Sequence, residues 1–421
     1  MAHESDFAPD EDGLQNALAR LIDAKLRRGT AHGDPVAPLP VPAQWPADGI
    51  GSRAALARLA DTALVEATRL DHAGFFAHMD PPTPWVTWAA AQWAAAMNQN
   101  LLQPDSAPRA RLLEQRVVEW LAPEFGMTGG HLVPDSTLAN LTALWAARDL
   151  TGARRVVASA VAHVSVAKAA RILGMQLVEV PVDAAQRLRA DLLPADLSDA
   201  AVVLTAGTTA TGSIDPLDAA SGAAWRHVDA AWAGPLQLSS HAAVLDGIEG
   251  ADSVAISAHK WLYQPKESAL VLFADVAAAH ECLSYGGSYL GAPNIGLLGS
   301  HGAAALPLAA TLLAWGRVGL AARIDADMAL AARLAARVAA EPALELWAAP
   351  VAGVVVWRPR GADPVAVRAR LQDAWVSTAV VDGQSWFRSV AANPLADPDH
   401  VVDAVLAAMS ALARDTAAGR Y

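Results

Sequence analysis

Two residues with complementary chemistry, Lys260 and Asp229, lie in short motifs within largely apolar sequence. Lys260 lies in the run Ser257-Ala258-His259-Lys260-Trp261, and Asp229 lies upstream in His227-Val228-Asp229-Ala230-Ala231. The chain has only four lysines, although lysine and arginine together number 31. A lysine amine can bond to the aldehyde of a cofactor, which a permanently protonated guanidinium cannot do. The pair therefore predicts pyridoxal phosphate (PLP) chemistry, in which the carboxylate keeps the pyridine nitrogen protonated.

The elements that must position this pair alternate between strands and helices. Helices predicted at residues 137–150 and 165–173 lie among the predicted strands, and such alternation implies a largely parallel sheet covered by helices. Asp229 ends one strand and Lys260 follows another, and ligand-binding groups gather at the carboxyl ends of strands in open α/β sheets. Short β-branched runs predict six strands of this sheet, at residues 155–157, 176–180, 201–205, 226–229, 253–256 and 269–273. Towards the C-terminus, the pattern predicts helices at residues 303–315 and 320–340 and two further strands at residues 353–357 and 386–390.

Other polar residues follow predicted strands or lie on them. His163 opens a helix after the Val156-Val157 strand, where its ring would stack on a planar cofactor or simply face solvent. Ser136 and Thr137 open another helix, and their amides and hydroxyls suit either a phosphate or an ordinary helix cap. Arg388 lies on a late strand, where it would make a surface ion pair or bind a substrate carboxylate.

Composition and charge argue against nucleic acid and membranes as partners. The net charge is −12 and the isoelectric point is near 5.4, whereas both partners attract clustered lysine and arginine. The single cysteine, Cys282, excludes an internal disulfide and fits a reducing compartment. The acidic segment Met1 to Asp12 lacks the pattern of a signal peptide, and the apolar run Ala303 to Trp315 is too short to span a bilayer. We therefore expect a cytoplasmic protein.

Taken together, these motifs resemble the group II PLP-dependent decarboxylases, the family of aromatic-amino-acid, glutamate and diaminobutyrate decarboxylases. The resemblance implies an α/β fold of the type I PLP-dependent transferase class, with a mainly parallel, seven-stranded sheet between helices. It divides the chain into an N-terminal helical segment at 1–75, a large PLP-binding domain at 76–315 and a small C-terminal α+β domain at 316–421. The resembling segments are residues 78–82, 98–101, 139–144, 162–165, 227–234 and 257–261.

The resemblance also implies a role for each residue of the predicted cofactor site. Lys260 would bond to the cofactor, Asp229 would pair with its pyridine nitrogen, and Ala231 would pack under the ring opposite His163. Ser300 would reach the phosphate across the interface of a homodimer. The remaining cofactor-binding residues would be Ser136, Thr137, Ser257 and His259 at the phosphate and Thr208 near the ring edge.

Substrate binding and proton transfer are implied less directly. Phe76, His78 and Trp85 lie in the segment that lines the substrate pocket in the resembling family, although such aromatic residues would equally suit a dimer interface. The family's mobile loop carries a tyrosine thought to protonate the product carbon. That loop is short in this chain, where Tyr285 and Tyr289 are the candidates for the proton donor.

The favoured activity is decarboxylation of an L-amino acid to its amine by a homodimer. Asp135 lies where the family usually has a turn of small residues. A carboxylate beside a phosphate is repulsive unless its side chain turns away to cap the helix. The alternatives are another PLP reaction on the same scaffold, such as aminotransfer, aldehyde release or oxidative deamination, and a PLP-binding scaffold without turnover. A nucleotide-binding α/β protein is disfavoured because no Gly-x-Gly-x-x-Gly or Walker pattern follows an early strand.

Overall fold

The apolar runs form a seven-stranded sheet in this computed structural model, which describes residues 9–26 and 39–417. After a short strand β1 (Phe75–Phe76), the strands of this sheet are β2 (Gly129–Val133), β3 (Arg155–Ser159), β4 (Gln176–Val180), β5 (Ala200–Thr205), β6 (Trp225–Asp229), β7 (Ser253–Ile256) and β8 (Ala269–Phe273). Their order is β2-β8-β7-β6-β5-β3-β4. Neighbouring strands from β4 to β7 pair in parallel, and β8 is antiparallel to both β7 and β2. The predicted α/β fold and the six predicted strands are confirmed, whereas β2 was not predicted.

Helices connect β2 to β3 and β3 to β4, whereas no α-helix is described between β4 and β7. The described helices are α1 (Glu11–Leu26), α2 (Ser52–Ala60), α3 (Trp85–Met97), α4 (Ala110–Leu121), α5 (Ser136–Thr151), α6 (Val164–Leu173), α7 (Val276–Cys282), α8 (Ala305–Ala339), α9 (Pro364–Arg368) and α10 (Pro398–Ala417). The α5 helix joins β2 to β3 and is largely buried, with Asn140 and Thr142 inside as well as its alanines and leucines. It ends at Gly152, whose left-handed conformation terminates the helix. Its first turn lies at the site described below.

A second, antiparallel sheet contains the strand that carries Arg388. Its described strands include β11 (Leu344–Leu346), β12 (Val354–Pro359), β13 (Trp375–Val381) and β14 (Gln384–Val390), whereas β9 (Ser284–Tyr285) and β10 (Asn294–Ile295) form a separate hairpin. The β14 strand lies between β12 and β13, so that Arg388 has Val356 on one side and Ser377 on the other. The patterns at residues 353–357 and 386–390 predicted β12 and β14, but β13 was missed.

Helix α8 is long and bent. The helix spans 35 residues, but Gly316 has the non-helical angles φ 61° and ψ 177°. The two helices predicted at residues 303–315 and 320–340 are thus the two arms of α8. Among the described helices, α8 alone has the length and composition to cross a membrane, a test that core helices also pass. Leu308, Leu320 and Ile324 of α8 belong to the main hydrophobic core.

Contacts between residues divide the chain differently from the predicted three domains. The smaller unit comprises the described parts of Met1–Phe75, Val367–Trp375 and Leu395–Tyr421. The larger unit comprises Phe76–Ala366 and Val376–Pro394, so it contains the seven-stranded sheet, most of the antiparallel sheet and all the predicted site residues. The predicted boundary between residues 315 and 316 falls at the bend in α8 rather than between the two units.

Candidate active site

The predicted catalytic residues follow neighbouring strands of the large sheet. Asp229 is the last residue of β6, and Lys260 lies in the turn that follows β7, its backbone N–H bonded to the Ser257 carbonyl at 3.3 Å. His163 follows β3 and caps α6. Because β3, β5, β6 and β7 are parallel, their carboxyl ends meet at one edge of the sheet. The topology therefore brings these three predicted residues to the same edge of the sheet.

Lys260 lies in an environment that favours the neutral, nucleophilic amine. Burial lowers the pKa of Lys260, and the Asp229 carboxylate opposes that shift. The Asp80 carboxylate also opposes the shift, whereas the charges of Lys266 and Arg388 lower the same pKa. A lysine that loses its proton more easily can attack an aldehyde carbon near neutral pH.

Asp229 is held rigidly by two hydrogen bonds. Its Oδ2 accepts a hydrogen bond from Asn140 Nδ2 at 2.8 Å, and its Oδ1 accepts the Ala231 N–H at 3.2 Å. Asp229 is only 3% exposed. A buried carboxylate oriented in this way is suited to pair with the protonated nitrogen of a pyridine ring.

The groups predicted to face the two sides of that ring are accessible to different degrees. His163 is exposed, and its Nδ1 is bonded to Ser165 Oγ at 2.8 Å, which fixes the plane of the imidazole. Ala231 is 9% exposed, and its side chain is only a methyl group. Gly207 has φ +95°, and a Cβ there would lie 2.9 Å from the Trp232 ring, so this turn requires glycine.

The first turn of α5 forms a polar cup with the turn after β7. Ser136 Oγ and Ser257 Oγ are hydrogen-bonded to each other, which brings the two elements together. The first amides of a helix have no partner inside the helix and attract an anion, which supports the predicted phosphate site. Thr137 lies in the same turn. Asp135 does not oppose an anion directly, because its Oδ1 accepts the Leu138 N–H at 2.8 Å as a helix cap.

His259 and Thr208 have partners of their own. His259 Nδ1 donates to the Ser268 carbonyl at 3.1 Å, and burial lowers the pKa of His259 to about 4, so the ring is neutral at physiological pH. Thr208 Oγ1 is bonded to Thr211 Oγ1 at 2.8 Å within its own turn. Thr205 is in register with Asp229 across β5 and β6, and its buried hydroxyl has no partner among the described residues. A ligand that fills the site would supply a polar neighbour for this hydroxyl.

Arg388 is not the surface residue that one reading of the sequence allowed. It is 9% exposed, its Nε donates to Ser377 Oγ at 3.0 Å and its Nη1 donates to the Thr209 carbonyl at 3.0 Å. Burial lowers the pKa of Arg388, and the Asp80 carboxylate opposes that shift. Two of its five N–H groups are thus engaged, and the fork is held in one orientation near Lys260.

Several predicted residues lie apart from this cluster within the single chain. Phe76 is 0% exposed and has no free surface for a substrate, whereas His78 and Trp85 are exposed. Ser300 is exposed, and its Oγ accepts a hydrogen bond from Asn100 Nδ2 at 3.1 Å. Their predicted roles therefore depend on a neighbouring chain or on ligand binding.

The two candidate proton donors are also on the surface. Tyr285 is 57% exposed, and its ring centroid is 6.0 Å from that of Trp145. Trp145 lies about 13 Å along α5 from Ser136, at 1.5 Å per residue. Tyr289 is 75% exposed. That one of them protonates the product carbon stays a prediction.

Sequence reasoning missed a buried polar network behind Asp229. Asn140, Ser165, His227 and Ser253 are each 0% exposed and hydrogen-bonded among themselves or to site residues. The sequence feature that could have revealed this network is Asn140 itself. It lies one helical turn after Ser136, so it is a polar residue on the same face of the helix, among apolar neighbours.

These residues fit PLP. They include an amine with a lowered pKa, a fixed carboxylate for the pyridine nitrogen, an anion cup at a helix N-terminus and an orphaned buried hydroxyl. An α/β sheet with this set of groups at its carboxyl edge defines the class of fold type I PLP enzymes.

Comparison with known proteins identifies the family. The model for the pyridoxal-dependent decarboxylase conserved domain matches residues 59–360. An L-2,4-diaminobutyrate decarboxylase of Rhizobium meliloti (strain 1021) is 33% identical, over 88% of this chain and 84% of its own length. The chain belongs to the pyridoxal-dependent decarboxylase family, and its activity is PLP-dependent decarboxylation of an amino acid.

Solved structures share the fold at lower identity. The Oryza sativa TDC structure with PLP and tryptamine has a TM-score of 0.86 and 23% identity, covering 96% of this chain and 99% of that chain. The glutamate decarboxylase domain of a Vibrio parahaemolyticus diaminobutyrate–pyruvate transaminase and L-2,4-diaminobutyrate decarboxylase has a TM-score of 0.81 and 23% identity, with 95% of both chains covered. Both comparisons confirm the fold.

Proposed function

We propose that this protein converts an L-amino acid to the corresponding amine and carbon dioxide as a cytoplasmic homodimer. The observation that carries the proposal is the pairing of Lys260, whose pKa is lowered by burial, with the hydrogen-bonded carboxylate of Asp229. A site without turnover has no chemical reason to retain both groups in this arrangement.

Each residue of the site has a separate role in the proposed reaction. When bound, PLP supplies an electron sink for the pair of electrons left as the bond from Cα to the carboxylate breaks. Lys260 would hold the cofactor until substrate replaces it, and Asp229 would hold a proton on the pyridine nitrogen. Ser136, Ser257 and the first amides of α5 would bind the phosphate and so set the orientation of the ring.

One structural observation supports a second reaction. Arg388 is held by Thr209 and Ser377 in a buried position, where its free N–H groups would bind a substrate carboxylate. A tightly bound carboxylate is retained, which favours loss of the Cα proton and aminotransfer. An apolar setting instead favours departure of the carboxylate as neutral carbon dioxide.

A product-resolved substrate screen separates these reactions. Purified holoenzyme is incubated with each L-amino acid, and carbon dioxide, amine, ammonia, hydrogen peroxide and keto acid are measured separately. We expect carbon dioxide and amine in equal amounts for at least one L-amino acid. Keto acid without carbon dioxide would favour aminotransfer, and no product from any amino acid would favour a scaffold without turnover.

Support for the homodimer comes from an apolar surface of the larger unit. Helices α3 and α8 pack on each other, yet Met97 and Leu313 are 69% and 71% exposed. The end of α3 continues into Asn100, which is bonded to Ser300, the residue predicted to reach a partner's phosphate. Burying large apolar side chains against a second copy would remove them from water and bring Ser300 to the neighbouring site.

Disrupting this surface should remove activity together with dimerisation. We expect Met97→Glu and Leu313→Glu each to shift the protein towards monomer in sedimentation velocity at assay concentration, because each places a charge in an apolar interface. Turnover should fall in proportion to the dimer lost. Ile172→Glu is the matched control, since Ile172 is 68% exposed on another helix of the larger unit. Full turnover by a monomeric variant would contradict the proposal.

The two tyrosines are tested by product partition. In air-saturated buffer, we expect Tyr285→Phe or Tyr289→Phe to lower the yield of amine and to raise aldehyde, ammonia and hydrogen peroxide. A product carbon without its proton donor would lose its electron pair to dissolved oxygen instead of gaining a proton. Each variant serves as the control for the other. Wild-type amine rates in both would assign the proton to another group, such as a histidine or water.

The proposed cytoplasmic location rests on the acidic character of the chain and on its single cysteine. Cys282 is a free thiol, which suits a reducing compartment. Fractionation of cells that express the protein should place its activity with soluble cytoplasmic markers, and recovery with membranes would contradict the location.

A further inference from the structure

Asn140 connects three groups that lie on different elements around the predicted cofactor site. Its Nδ2 donates to Asp229 Oδ2 at 2.8 Å and to Ser165 Oγ at 2.9 Å, and its Oδ1 lies 3.0 Å from His227 Nε2. The side chain is 0% exposed. Every hydrogen-bonding edge of this amide is therefore engaged inside the protein.

The orientation of the Asn140 amide follows from Asp229. An ionised carboxylate only accepts hydrogen bonds, so the atom that faces Asp229 Oδ2 must be the amide nitrogen. The amide oxygen then faces His227. This assignment rests on the partners, since nitrogen and oxygen of an amide are otherwise interchangeable.

The amide oxygen determines where His227 carries its proton. An oxygen acceptor 3.0 Å away requires an N–H at His227 Nε2. Burial lowers the pKa of His227 to about 4, so the ring is neutral and its Nδ1 accepts from Ser253 Oγ at 2.8 Å. Ser253 Oγ in turn accepts the Trp225 indole N–H at 2.8 Å. Both ring nitrogens of His227 therefore have a hydrogen-bond partner inside the protein.

The second amide N–H determines the proton on His163 through one hydroxyl. Ser165 Oγ accepts from Asn140, so its own O–H is available to donate to His163 Nδ1 at 2.8 Å. The Ser165 backbone N–H points at the same Nδ1 at 3.3 Å. An Nδ1 that receives two donors carries no proton, so the neutral ring carries its proton on Nε2.

We propose that Asn140 is a positioning residue that sets the hydrogen positions at both cofactor-facing groups, holding Asp229 as an acceptor and His163 as the Nε2–H tautomer. One amide thereby couples the group predicted to pair with the pyridine nitrogen to the ring predicted to stack on the cofactor. The link to catalysis rests on the function proposed above, whereas the hydrogen positions are a property of the protein without cofactor.

The hydrogen bond from Asn140 to Asp229 should affect the affinity of the apoenzyme for PLP. Without Asn140, Asp229 keeps only the Ala231 N–H as a described hydrogen-bond donor. Loss of one hydrogen bond to a charged group corresponds to about a 10- to 100-fold change in an equilibrium constant. We therefore expect apoenzyme of Asn140→Ala to bind PLP about 10- to 100-fold more weakly than wild type, measured by equilibrium dialysis.

The tautomers are tested directly in the apoenzyme by NMR of protein labelled with ¹⁵N at histidine. The His163 signals are assigned by their loss in His163→Gln. We expect wild type to show a protonated Nε2 and an unprotonated Nδ1 at neutral pH. Asn140→Ala should convert this single form to a mixture of tautomers and shift the pH at which His163 titrates.

Two further variants distinguish the hydrogen bonds that lead to His163 and to Asp229 from a non-specific loss of stability. Ser165→Ala should change the His163 tautomer but leave PLP affinity near the wild-type value, because the bond from Asn140 to Asp229 remains. Thr142→Val is the matched control on the same helix, since Thr142 is 1% exposed and its hydroxyl has no partner among the described residues. It should change neither tautomer nor affinity.

The outcomes discriminate between positioning and mere structural support. A wild-type ring protonated at Nδ1, or an unchanged His163 tautomer in both Asn140→Ala and Ser165→Ala, would overturn the inference. Ser165→Ala still tests it if Asn140→Ala does not fold. None of these measurements uses substrate, so failure of the proposed reaction would leave the tautomer result intact, and the reverse also holds.

Discussion

Replacing Lys260 by alanine should abolish covalent PLP binding and lower turnover by about 10³-fold or more. Covalent attachment of the cofactor depends on a positioned amine, and loss of such a nucleophilic group costs a large factor in rate. Arginine cannot substitute, because its guanidinium stays protonated. The visible absorbance of the bound cofactor, borohydride trapping followed by peptide mapping, and product formation are the three measurements that check this result.

The other lysines define the controls for this variant. Lys266 is paired with Asp80, and Lys25 lies 2.9 Å from Asp71 in the smaller unit. Lys168 is exposed on α6, so Lys168→Ala should retain both absorbance and turnover. Cofactor trapped at Lys168 or Lys266 in the Lys260→Ala protein would show that the wrong lysine had been assigned.

Replacing Asp229 by asparagine should leave PLP binding detectable but lower turnover by roughly 10²- to 10⁴-fold. A neutral amide cannot keep the pyridine nitrogen protonated, so the ring loses most of its capacity to accept electrons. Asparagine also has one oxygen where Asp229 presents two acceptors, to Asn140 and to the Ala231 N–H. One of those donors must then face an N–H group, so thermal stability should fall as well.

A second buried aspartate separates the chemical effect from the structural one. Asp215 is 2% exposed, and its two oxygens accept the backbone N–H groups of Leu188 at 2.7 Å and Thr205 at 2.8 Å. Asp215→Asn loses the same kind of hydrogen bond, and we expect a fall in melting temperature comparable with that of Asp229→Asn but turnover within several-fold of wild type. Equal turnover losses in both would mean that Asp229 is a structural residue only.

Local sequence patterns were sufficient for most of the large sheet. Strands β5, β7 and β8 are short and nearly fully apolar, as buried strands must be. Each of the strands β3 to β8 contains valine or isoleucine, and their predicted ends agree with the structure to within a few residues. Strand β2 was not predicted because Gly129, Gly130 and His131 have low β propensity. This strand forms by pairing with β8. Its role is recognisable only when β8 is already in place.

The sequence by itself determined the chemistry, because reactivity belongs to residue types. A rare lysine and an upstream aspartate at adjacent strand ends predict PLP chemistry before any contact is known. The alternation of predicted strands and helices also indicates a largely parallel sheet, whereas the order of its strands is known only from the structure.

Only the tertiary structure decided which polar groups meet. Asn140, Asp229 and His227 are joined by hydrogen bonds between α5 and β6, elements far apart in sequence, and no local periodicity encodes such a contact. Likewise, Asp135 is a cap rather than an anion beside a phosphate because its side chain turns towards Leu138, and Arg388 is buried because β14 is a central strand. Side-chain direction and burial depend on neighbours that folding brings together, which is why the cofactor was predictable from the sequence and the network that orients it was not.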